Sequence, residues 1–345
     1  GTMRLAARSR WMVLAGGALV LALAAVVVIV STDGRQSSAL PLRATGEVAL
    51  PVDGSRFDYE SLDADHGLLF VAHLGAGEVI EIDVRARRMV RTIGDLPQVH
   101  GVLVVPALHR VYATATGANQ LVALDESTGA VIYRAPTGEY PDGLAYDQRR
   151  DAIWTTNKAG GSETVVDAAT GAVRGTVALG GEVGNVAYDP TGDQMLVAVQ
   201  GRDELAVIDP DSLAVVQRVP LSGCDDGHGL TVDAANRLAF VACESNAALL
   251  TVDLTTWQVV DTDPVGDDPD VLAYDHNAHR LYVAAESGTV TLLDLRDRRL
   301  RVIGSARLAE GAHVVAVDPA THHTYYPVPA GAHGGPALLE REPTD

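Results

Sequence analysis

The sequence is poor in cysteine, in lysine and in positive charge altogether. Two cysteines in 345 residues, Cys224 and Cys243, exclude a disulfide-dense scaffold and a multi-cysteine zinc or iron–sulfur centre. Twenty-six basic residues stand against 45 acidic ones, a formal charge of -19. That balance excludes a nucleic-acid binder, which needs a basic footprint for the phosphates. Lys158 is the single lysine, a usage read as coding bias with no mechanism attached. The motifs of several common chemistries are also missing. There is no Gly-x-Ser-x-Gly elbow, no Walker-type phosphate loop and no His-Glu-x-x-His. The run Gly180-Gly181-Glu182-Val183-Gly184 follows a strand-like segment but opens no helix, so a dinucleotide site fails. Charged residues are only 21% of the chain and hydrophobic ones 47%. Such a chain buries a large core and is not globally disordered. Length alone suggests two domains, although all-β folds often exceed 200 residues as one.

Near the N-terminus, Arg4, Arg8 and Arg10 precede a run from Trp11 to Val30 without a charge. As a helix that run spans about 30 Å, the thickness of a bilayer core. It is longer than the apolar stretch of most signal peptides, about 7–15 residues, and is expected to be a single-pass anchor in the cell membrane. The arginines place the N-terminus in the cytoplasm and everything after Ser31 outside. Ser37-Ser38-Ala39 offers a small-residue cleavage site, and cleavage at Ala39 makes the protein secreted. The expected division is residues 1–31 as anchor or signal peptide, 32–44 as linker and 45–345 as the folded domain.

A repeat of about 42 residues governs that domain. An apolar strand ends at Asp63, Val105, Asp147, Asp189, Asp233, Asp275 and Asp318, at intervals of 42, 42, 42, 44, 42 and 43. A second marker, Asp83, Asp125, Asp167, Asp209, Asp253 and Asp294, keeps step about 20 residues later. Within a unit the segments are short and rich in Val, Ile, Thr and aromatics, with Gly, Asn and Asp between them. Four strands per 42 residues make a propeller blade, and seven units make seven blades. The seventh unit has room for three strands, near 313–317, 323–327 and 336–340. Gly46-Glu47-Val48-Ala49-Leu50 resembles the fourth strand Gly175-Thr176-Val177-Ala178-Leu179. Residues 45–50 are therefore expected to complete the last blade and close the ring, removing its open edge.

Leu69-Phe70-Val71-Ala72-His73, Pro141-Asp142-Gly143-Leu144-Ala145-Tyr146-Asp147 and Ile153-Trp154-Thr155-Thr156-Asn157 resemble the YVTN-repeat (YncE-like) β-propellers over about 45–340. The resemblance implies an all-β seven-bladed propeller. Members differ widely in role, so it implies no activity.

Five residues before each first marker stand Asp58, His100, Asp142, Gly184, His228, Asp270 and His313. In a propeller these loops converge on the top of the central channel. Three His among seven positions is far above the roughly 3% His of the chain. Imidazole with carboxylate suits a borderline divalent metal of unknown identity. The bland reading keeps Asp142 and Asp270, each after a proline, as turn residues. His73 and Asn157 fall just outside this ring and are expected as its supporting partners. Cys224 and Cys243 reach the top of one blade, where a disulfide is the main reading and metal ligation beside His228 the rival. His66, His109, His276, His279, His322 and His323 fall on the opposite face and read as solvated turn residues; His333 lies in a loop. The expected function is a ligand- or metal-binding propeller outside the membrane. The alternatives are a metal-dependent hydrolase or lyase of the lactonase-like propeller type, with His228 or His313 as base or ligand, and a protein-interaction scaffold with an inert channel.

Overall fold

A computed structural model describes residues 39–344. Trp11–Val30 and the boundary at residue 31 lie outside the described residues. Among the described residues no helix is long and apolar enough to cross a membrane.

The strands form seven four-stranded antiparallel sheets. Blade 3 shows the plan: Pro141–Asp147 innermost, then Ala152–Asn157, Ser162–Asp167 and Val173–Ala178 outermost. The other inner strands are Glu60–Asp63, Val102–Val105, Val186–Asp189, Gly227–Asp233, Pro269–Asp275 and Ala316–Val317. The last blade takes Thr324–Val328 and Ala337–Pro343 from the C-terminal end and Leu42–Ala49 from the N-terminal end. Glu47 pairs with Leu339 and Val48 with Leu338. The closing strand starts at Leu42, inside the segment read as linker, because Leu40 and Leu42 pack on the apolar cluster between blades 6 and 7.

The recurring aspartates are explained by their turns. Oδ1 of Asp147 accepts the backbone N–H of Arg149 and Arg150, and Oδ1 of Asp275 that of Asn277 and Ala278. Asp125, Asp167 and Asp253 do the same at the other bottom turn. A short carboxylate satisfies turn amides without help from a neighbour, so the chain reverses at each Asp. Alternating side chains along each strand face the blade before and the blade after. Each seam accordingly has its own apolar cluster, such as Val79 with Val102, Val111 and Ala113 between blades 1 and 2, or Leu205 with Leu230 and Val241 between blades 4 and 5. Each fully buried Val or Leu contributes about 1.5–3 kcal/mol.

On the bottom face, His66 pairs with Asp63 at 2.8 Å, His322 with Asp275 at 2.6 Å and His323 with Glu342 at 3.0 Å. These three are turn residues, as their sequence position implies, but each holds a carboxylate.

Candidate functional site

The inner strands all start at one end of the ring, and the loops ahead of them surround a cavity of about 480 Å³. Asp58, His100, Asp142, His228 and Asp270 line it. His313 lies against its wall, buried, with Nδ1 2.7 Å from Asp270 Oδ2. Gly184 is glycine for lack of space: a Cβ there would lie 2.7 Å from His228 Cα and carbonyl O. Tyr59, one residue beyond Asp58, reaches Asn185 Oδ1 at 2.8 Å and His228 Nε2 at 3.0 Å. It lines both this cavity and the channel space of about 370 Å³ lined by the inner strands, and so forms the floor between them.

The histidines share one arrangement. His100 Nδ1 lies 2.7 Å from the Gln98 carbonyl. His228 Nδ1 lies 3.1 Å from Gln200 Oε1, and the Gln200 amide is oriented by its own bond to Glu244 at 2.9 Å. His313 Nδ1 faces Asp270. Each Nδ1 therefore donates to an acceptor, while Nε2 of His100 meets the Tyr140 hydroxyl at 3.0 Å and Nε2 of His228 meets the Tyr59 hydroxyl at 3.0 Å. Metal-ligating histidines are oriented in this way.

Negative charge exceeds positive. Asp58, Asp142, Asp270, Glu244 and Glu286 face two permanent cations, Arg56 and Lys158. Arg56 spans Glu286, at 2.5 and 3.2 Å, and Asp58 at 3.4 Å. Burial, then the charges of Asp270 and Asp142, push the Asp58 carboxyl well above its usual range. Burial opposes ionisation of Asp270 too, but the His313 hydrogen bond and the charges of His313, His228 and Arg56 outweigh it and hold Asp270 low. Burial lowers His100 despite the pull of Asp142. For Lys158 the charges of Asp142, Glu244 and Glu182 outweigh burial and raise it. One oxygen of Asp142, a residue 3% exposed, has no hydrogen-bond partner. Three sets of possible metal ligands overlap here: Asp58 with His100 and Asp142, Asp58 with Asp270 and His313, and His228 with Glu244 and Asp270. Within each set the ligand atoms lie within 4.8 Å of one another.

His73 and Asn157 lie outside the cavity and tie down the loops that lead into it. His73, fully buried against Phe57, meets Ser55 Oγ at 3.0 Å and Glu78 at 3.0 Å. That fixes the loop bearing Arg56 and Asp58. Asn157 accepts from the Gly138 amide at 3.0 Å, ahead of Tyr140 and Asp142. At the same place in blade 5, Cys243 is disulfide-bonded to Cys224, ahead of His228. Three chemistries thus perform one job.

The sequence reading missed two further sets of cavity residues. Leu74, Lys158, Glu244 and Glu286 each lie 16 residues after a ring position, and Arg56, Gln98 and Tyr140 two before one. Thr116 and Gln200, at the same +16 offset, bond to His100 at 2.8 Å and to His228 at 3.1 Å. The lone lysine, set aside as coding bias, is one of this set.

Ring closure, seven blades and a polar cavity at one mouth define a seven-bladed β-propeller. The model of the YNCE-like beta-propeller family matches residues 12–331, and the chain belongs to that family. None of the curated proteins matches it. Among solved structures it is similar to Kuenenia stuttgartiensis hydrazine synthase, at 15% identity over 86% of this chain and 98% of that chain, with a TM-score of 0.74. It is also similar to U3-55K, at 10% identity over 89% and 99% with a TM-score of 0.74. The WD40 repeats of RRP9 match at 11% identity over 89% and 99%, with a TM-score of 0.73. At these identities the likeness is one of fold alone.

Proposed function

We propose that the channel mouth binds a divalent transition metal, on a propeller tethered outside the cell membrane by Trp11–Val30. The observation that carries the metal reading is that three imidazoles, each held at Nδ1 by an acceptor, stand in sets with two carboxylates whose ligand atoms lie within 4.8 Å of one another. The surplus of carboxylates and the unpartnered Asp142 oxygen support it. His228, His313 and Asp270, with Asp58 beside them, form the centre of the proposed site. One imidazole with two carboxylates in each set suits Zn²⁺ or Mn²⁺ better than Ca²⁺, which prefers oxygen alone.

Stripped of metal and equilibrated with Zn²⁺ or Mn²⁺, the full chain in detergent is expected to take up a stoichiometric ion at the mouth. Changing His228→Ala together with His313→Ala should weaken that binding by tenfold or more, on the order seen when a metal's supporting shell is removed. A chain that carries no stoichiometric metal, or a double variant with unchanged affinity, overturns the reading. The tether rests on the uncharged run and its arginine flank. Alkaline extraction of membranes should leave the chain in the pellet, and its release would sink that part.

A further inference from the structure

The bottom end of the ring carries a second cluster, unrelated to the mouth. At most seams the aspartate ending an inner strand meets a donor. Arg150 bridges Asp147 and Asp193 between blades 3 and 4, at 3.0 and 2.8 Å. Arg237 of blade 5 reaches Asp189 of blade 4 at 2.7 Å. Tyr274 of blade 6 donates to Asp233 of blade 5 at 2.7 Å. His322 of blade 7 meets Asp275 of blade 6 at 2.6 Å.

At the seam between blades 1 and 2 the donor to Asp63, His66, comes from the same turn of blade 1. There Asp63, fully buried, faces a second carboxyl, Glu126 of blade 2. The residues at the Glu126 position in other blades, Val84, Ala168, Leu254 and Leu295, are apolar. Glu126 is 6% exposed, and its Oε1 has no hydrogen-bond partner. Its other contact is a hydrogen bond shared with Asp63, and Glu81 and Asp125 add further negative charge around it. His66 completes the group, with Nδ1 2.8 Å from Asp63 and a ring 62% exposed. The ligand atoms of Asp63, His66 and Glu126 lie within 4.8 Å of one another.

We infer that Asp63, His66 and Glu126 form a divalent-metal site that clips blade 1 to blade 2. Glu126 Oε1 is buried without a partner beside a second carboxyl, and a cation held by Asp63, His66 and Glu126 would satisfy it. Two carboxylates and one imidazole suit a borderline ion such as Zn²⁺. The exposed His66 ring is the side from which an ion enters.

The test uses the full chain in detergent with Zn²⁺ alone as the probe, in the His228→Ala, His313→Ala background that weakens the mouth. One equivalent of Zn²⁺ is expected to remain, and Zn²⁺ is expected to raise the melting temperature. Glu126→Gln should abolish both effects, and His66→Ala should weaken binding about tenfold. His66 is exposed, so that variant decides the matter if Glu126→Gln fails to fold. The inference falls if the background chain binds no Zn²⁺ at this seam. It falls equally if both substitutions leave binding unchanged, in which case the two carboxyls share a proton only. The seam does not depend on the mouth. A failed seam leaves the unaltered chain with its mouth ion, whereas a failed mouth leaves seam binding sensitive to Glu126.

Discussion

Replacing Glu163 by leucine is expected to stabilise the ring, and the gain should grow as the pH rises. Glu163 is the second residue of the third strand in blade 3. Its counterparts are Val79, Leu121, Leu205, Leu249 and Val290, all apolar and all fully buried. Those side chains pack into the cluster shared with the next blade; Leu121 lies with Ile153 and Val166, and Leu249 with Leu281 and Val283. Glu163 occupies the same slot fully buried, with neither carboxylate oxygen partnered. Burial alone pushes its carboxyl well above the usual range. The native state therefore keeps a proton that the unfolded chain loses above about pH 4.5. Stability falls with pH from there up to the folded pKa, by at most about 1.4 kcal/mol per pH unit. Leucine removes this penalty and adds apolar burial. Denaturant titrations of Glu163→Leu and the parent chain at pH 4 and pH 8 measure both parts. A variant less stable than its parent at pH 8 would show that the carboxylate has a partner which the fold supplies.

Much of the ring was legible because its signals repeat. The Asp that closes each bottom turn recurs in step with the strands, so blade number and closure followed from spacing. The mouth residues at the ring position stood out because three histidines are rare in so few places. The residues 16 positions later did not stand out. Leu74, Thr116, Lys158, Gln200, Glu244 and Glu286 have no side-chain type common to all of them, and only their distance from the ring marks them. Applying the same offset to the loop after each second strand would have found Lys158, Glu244 and Glu286. Arg56 was hidden for another reason: it reaches Glu286 from blade 1, and that contact exists only because the ring closes. Glu126 reads as a polar turn residue in isolation, and only the packing of two blades sets it against Asp63.

Gly184→Ala should damage fold and site together. The backbone at Gly184 is not in the left-handed region, so alanine meets no conformational penalty there; the difficulty is space. A Cβ would lie 2.7 Å from both His228 Cα and its carbonyl O, and 3.1 Å from the Gly227 carbonyl. These are backbone atoms and cannot turn aside. The loops of blades 4 and 5 must separate, straining the bond from the Asn185 amide to the His228 carbonyl at 2.9 Å. Tyr59 bridges Asn185 and His228, so the cavity floor loses the spacing that both of its contacts need. Overpacking of this kind costs about 1–3 kcal/mol, here toward the upper end because backbone must move. The proposed mouth ion should bind about tenfold more weakly, since His228 leaves the place that Gln200 holds it in. Gly94→Ala is the control: nothing lies within 4 Å of a Cβ there, and it should leave both stability and zinc affinity unchanged. Equal behaviour of the two variants in unfolding and zinc titrations would mean that the close approach of blades 4 and 5 places nothing at the mouth.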